Sequence, residues 1–179
     1  MVRNLTLMVM LLTSVFVSAA QPEHAPAWRV ATGTELKSLL PARAPVQQER
    51  IETEMRTASG ITDGHGKFVA GIVLITAGYS ADGKYSHFFL TQVPLKIGNF
   101  SLTPGAYVIG WEHNENGLHV NFYEAASGKP LGSVDAALNP AVTRVESFRI
   151  WPPAERSSEH SMVQIGRFTF PYQIGDSLP

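Results

Sequence analysis

The stretch from Phe100 to Glu124, FSLTPGAYVIGWEHNENGLHVNFYE, constrains the fold more than any other part of the chain. Apolar and polar residues alternate on both sides of an Asn-Gly pair, and a Pro-Gly pair stands upstream, the pattern of strands joined by tight turns. A two-residue type I′ turn needs positive φ at both central positions, which Asn116 and Gly117 tolerate best. That turn sets Glu115 opposite Leu118, His113 opposite Val120, Trp111 opposite Phe122 and Ile109 opposite Glu124. Ile109, Trp111, Val120 and Phe122 then share a core face. Glu112, Asn114, His119, Asn121 and Tyr123, with Gly110, share the other, mostly polar face. The Pro104-Gly105 pair predicts a second turn, joining Leu102 to Tyr107.

The remaining chain repeats this grammar. Residues 34–40 predict one short helix with Thr34 as N-cap and Pro41 as its stop. Glu49 to Ser59 alternates Ile51, Thr53, Met55 and Thr57 against charged residues and reads as a half-exposed or edge strand, with a helix as the other option. Ser59 to Gly66, SGITDGHG, reads as a loop. Lys67 to Ala77 is apolar on both faces and predicts a central strand. Tyr85–Val93, Leu95–Ile97 and Leu131–Ala137 predict further strands. Val142–Trp151 fits a strand only with a bulge. Met162–Phe170 reads as the last strand. The expected fold is all-β, an antiparallel β-sandwich of about eight or nine strands, with a closed β-barrel as the alternative.

Residues 1–20 read as a signal peptide: Arg3, an apolar run over Leu5–Val17, then Ser18, Ala19 and Ala20 before a polar change at Gln21. The run is too short to predict a membrane anchor, so no membrane insertion is expected after cleavage. Residues 21–45 read as a flexible leader with the short helix, 46–174 as the β domain and 175–179 as a tail. With no cysteine, the chain has no disulfide, no thiol nucleophile and no thiolate metal ligand. A net charge of −1 provides no field for nucleic acid. The expectation is an exported bacterial protein, periplasmic or extracellular.

Candidate chemistry is sparse. His87, His113 and His119 are near one another in sequence, but the hairpin register points His113 and His119 to opposite faces, so no metal site is expected. Asp63 and His65, in Asp63-Gly64-His65-Gly66, carry acid–base groups, yet the glycines lead into a strand rather than a helix, as a phosphate-cradling loop would require. No G-x-S-x-G elbow and no cofactor fingerprint occurs, and no cofactor is expected. Tyr123, Asn121 and His119, together on the polar face of the hairpin, are the best candidate ligand platform.

Two phrases carry a family likeness. NFSLTPGAYVIGW resembles the L-x-P-G-x-Y strand of exported bacterial Ig-like and carboxypeptidase-regulatory-like (transthyretin-like) sandwiches. VNFYEAASGKPLGSV resembles the strand-turn of the same group that ends in G-K-P-L, and here the two phrases stand in the reverse of the family's order. The resemblance implies a sandwich and transfers no functional residue. The functional expectation is a non-enzymatic exported domain that binds a protein or a glycan or has a structural role. The rival is an enzyme or small-ligand carrier with a site near Asp63, His65 and His87.

Overall fold

The structure, a computed structural model, describes residues 28–153 and 161–175. The expected signal peptide therefore lies outside the described residues. The order is β1 (Arg29–Val30), α1 (Gly33–Leu39), β2 (Arg43–Val46), β3 (Glu49–Thr53), β4 (Ser59–Thr62), β5 (Phe68–Ile75), β6 (His87–Thr91) and β7 (Leu95–Ile97). It continues with β8 (Phe100–Leu102), β9 (Gly105–Asn114), β10 (Gly117–Glu124), β11 (Pro130–Leu138), β12 (Glu146–Ile150), β13 (Ser161–Gly166) and β14 (Phe168–Ile174). The fold is all-β, as the alternation predicts. All the ladders are antiparallel, and the main path runs β1-β4-β5-β6-β9-β10-β11-β14-β13-β12.

The sheet curls until β12 lies against β4 and β5, but no ladder joins them. The result is sandwich-like and not a closed barrel. Between its two leaves sits one core, with Val69, Phe89, Ile109, Val120, Phe122, Phe148, Val163 and Phe170 at its centre. A second core covers the opposite face of β5, β6 and β9, where α1, β2 and β3 lay Leu36, Leu40, Ala44, Val46 and Ile51 over Ala70, Ile72, Phe88 and Val108. β5 is therefore apolar on both faces because both are covered. Residues 28–45, read from sequence as leader, supply part of the second core.

Among the described residues, fourteen strands form where eight or nine were expected. The extra ones are short or cryptic. Glu49–Ser59 is broken after Thr53 by a 3-10 turn at Met55–Thr57, and the expected loop at Ser59 begins with β4. Met162–Phe170 is a hairpin rather than one strand: Ile165 pairs with Phe168, and Gly166, at φ +63°, opens the two-residue turn. The helix begins two residues earlier than predicted. Thr32 is the N-cap, forming a capping box with Glu35, while Arg29 grips the same carboxylate at 2.7 and 3.0 Å. The guanidinium and the Thr32 groups hold the Glu35 carboxyl down to about 2.

The central hairpin keeps its predicted faces but not its predicted register. Gly117 pairs with Asn114, Val120 with Trp111 and Phe122 with Ile109, a shift of two residues. Two features explain the shift. Asn114 Oδ1 accepts the Asn116 N–H at 2.9 Å, closing an Asx turn over Glu115-Asn116. Gly117 is spent on close approach, since a Cβ there would meet the Ala136 carbonyl oxygen of β11 at 2.1 Å. The Pro104-Gly105 pair, by contrast, makes no hairpin. β8 pairs with β7, and β9 pairs with β6 and β10. The pair instead turns a corner, fixed by the Tyr107 hydroxyl donating to the Thr103 carbonyl at 2.5 Å.

The curl is closed by Phe148. Its ring lies where a side chain on Gly71 would stand: a Cβ at Gly71 would meet the ring at 2.4 Å. Gly71→Ala should therefore destabilise the protein by about 2 kcal/mol or more through overpacking. Gly33→Ala, where a Cβ meets nothing within 4 Å, should shift stability far less. Urea unfolding of both variants checks this; equal midpoints would contradict it.

Candidate functional site

The sequence-predicted residues are dispersed. Asp63 and His65 lie in the loop before β5, whereas His87 pairs with Val73 near the far end of that strand. Asp63 Oδ1 accepts the N–H groups of His65 and Lys67 at 2.8 and 2.9 Å, which makes it the organiser of a turn. The rival site built on Asp63, His65 and His87 does not assemble. His119, Asn121 and Tyr123 do share one face of β10. However, His119 Nδ1 lies 2.9 Å from Asp135 Oδ1, and Tyr123 packs on the second core, 5.2 Å edge-on from Tyr85. Lys84 Nζ sits 5.5 Å from the Tyr123 ring and 4.9 Å from that of Tyr85. Two of the three, His119 and Tyr123, are thus already engaged by the protein's own groups. Among the described residues, no three His, Asp or Glu side chains converge as metal ligands.

A cleft of about 620 Å³ does form, at the end of the sandwich where β5, β6, β9 and the β13–β14 turn meet. Its size is in the range of small-molecule sites. One wall is an aromatic row. Trp111 and His113, two apart on β9, meet edge-to-face with centroids 5.5 Å apart, and His113 meets Phe168 of β14 at 5.9 Å. The alternation predicts Trp111 on the core face; it is on that face, but beyond the point where the core ends, and 39% of it stays exposed.

The floor is His87, 3% exposed. Its Nε2–H faces the Ser147 carbonyl at 3.3 Å, and its Nδ1 lies 2.8 Å from Ser86 Oγ. A carbonyl oxygen only accepts, so Nε2 carries the proton when it bonds Ser147, while Ser86 Oγ, beside Nδ1, also donates to the Ile109 carbonyl at 3.0 Å. Burial pulls the His87 pKa from 6.5 down to about 4, against a smaller upward effect of the Ser147 carbonyl. The ring is neutral in the folded protein at physiological pH.

A second cleft, about 360 Å³, lies on the outer face of β12, β13 and β14. Sequence reasoning missed both. The lining of the first runs from Val73 to Phe168 and that of the second from Asn139 to Thr169, and the bulge in Val142–Trp151 was the one available signal.

Protonation of His87 should govern mild acid stability. The unfolded chain takes up a proton near pH 6.5 and the folded one only near 4, so stability is full above about 6.5 and falls as pH falls toward 4. Between pH 7 and 4.5 the loss from this group should be about 2 kcal/mol. His87→Gln, which keeps a donor and an acceptor, should flatten that slope. Urea unfolding across this range checks it, and an unchanged slope in the variant would assign the loss elsewhere.

No protein-family model matches the chain, and no curated protein or solved structure matches it.

Proposed function

We propose that the chain is an exported, non-enzymatic binding domain whose large cleft takes a neutral glycan, with one sugar ring laid on Trp111. The observation that carries this reading is the half-open Trp111 indole, set within a concave site rather than buried. A pyranose offers an apolar C–H face and a rim of hydroxyls. Trp111 and Phe168 supply the apolar surface, while Thr76, Ser86 and Ser147 supply uncharged polar groups. Charge is muted here: His87 is neutral, and Lys84 is turned onto the Tyr85 and Tyr123 rings. The apolar segment 5–17 supports export.

The Ser86–His87 contact looks like a nucleophile and its base, but its chemistry favours binding. A general base must hold the proton it takes. His87 sits in a desolvated pocket that disfavours the imidazolium, and its other nitrogen faces a neutral carbonyl rather than a carboxylate.

Titration with cellotriose, maltotriose and chitotriose, read on the Trp111 indole N–H resonance, tests the proposal. At least one should shift that resonance saturably. Trp111→Ala should weaken binding about tenfold or more, as loss of an aromatic anchor does. No shift with any of the three, or equal affinity in the variant, would refute it.

A further inference from the structure

We infer that the second cleft is a separate site for a small carboxylate with an apolar body. It does not depend on the glycan reading and lies on the other side of the β13–β14 ladder. Gln164 and Thr169 line it, whereas their neighbours Ile165 and Phe168 line the first cleft.

The bulge in β12 builds this site. Glu146 pairs with Gly166 and Arg149 with Gln164, so β12 has one residue more than β13 between these two pairs. In a regular strand, residues three apart point to opposite faces. The extra residue brings Glu146 round to the side of Arg149 and Trp151, while Phe148 and Ile150 stay in the core. Both guanidiniums then converge on a single carboxylate oxygen. Arg144 Nε is 3.0 Å and Arg149 Nη1 3.5 Å from Glu146 Oε1. Among the described residues, two cations share this one anion, leaving a net positive charge and further N–H donors on each fork.

The site is held rather than incidental. Arg149 lies 4.0 Å from the Trp151 ring centroid, which fixes the plane of its guanidinium. Trp151 Nε1 donates to Gln164 Oε1 at 3.2 Å. Gln164 Nε2 donates to the Arg144 carbonyl at 2.9 Å and the Gly166 carbonyl at 2.8 Å. Gln164 is fully buried, in a strand position where an apolar residue would avoid the desolvation of an amide. Its three bonds tie the indole and the Arg144 backbone to one point, making it a positioning residue. The rest of the lining includes Val142, Pro152 and Met162, which suit an apolar ligand body. Planar guanidinium forks match a carboxylate in shape as well as charge.

Calorimetric titration with sodium benzoate at low ionic strength, against neutral benzamide, tests the inference. Benzoate should bind one to one and benzamide at least about tenfold more weakly. Arg149→Gln and Arg144→Gln should each weaken benzoate by about tenfold or more, and Arg149→Lys, which keeps charge but not the fork, should fall between. Gln164→Leu should lose benzoate affinity while the Trp111 resonance stays in place, separating positioning from collapse of the fold. No benzoate binding, equal binding of benzamide, or unchanged binding in Arg149→Gln with near-ultraviolet circular dichroism intact would overturn it.

Discussion

The rest of the structure depends on one strand being covered twice. β5 is the common wall of two cores, and both coverings rely on bare backbone. On one side a Cβ at Gly60, the partner of Ala70, would meet Leu36 of α1 at 2.9 Å. On the other, Phe148 rests on Gly71. A side chain at either position would hold a layer away and open a gap where dispersion contacts now lie. The N-terminal helix and the last leaf of the sheet are thus docked through the same two rows of the molecule.

That docking joins fold to site. Phe148 reaches Gly71 because β12 carries an extra residue, and the bulge has three consequences at once. It seats the ring, it turns the Ser147 carbonyl toward His87 in the first cleft, and it groups Glu146, Arg149 and Trp151 at the second. Bulges commonly re-aim side chains in this way beside binding sites. Polar groups that would be costly inside a core are each placed where a partner exists: His87 between a hydroxyl and a carbonyl, and Gln164 among three.

The periodicity of the chain made much of this legible. The two-sided burial of Phe68–Leu74, the two faces of the hairpin and a bulge within Val142–Trp151 all follow from apolar spacing, which is what burial selects. Pairing was less legible. The Asn-Gly pair points to one turn, but an Asx bond from Asn114 and the approach of β11 to Gly117 select the neighbouring one. Pro104-Gly105 forms a corner because Tyr107 bonds back to Thr103, a tertiary choice that turn propensity does not encode. The sites were least legible of all. Asp63 and His65 drew attention by residue type, yet their loop satisfies itself. Trp111, Ser86, Arg149 and Gln164 matter through positions that only the curled sheet brings together.

The most direct test of this account is the seat of Phe148. In an isotope-edited nuclear Overhauser spectrum, the Gly71 α-protons should show strong cross-peaks to the Phe148 ring and be displaced by its ring current. Absence of those cross-peaks, with Gly71 α-protons at ordinary strand shifts, would mean that β12 does not close on β5. The account of both clefts would then fail with it.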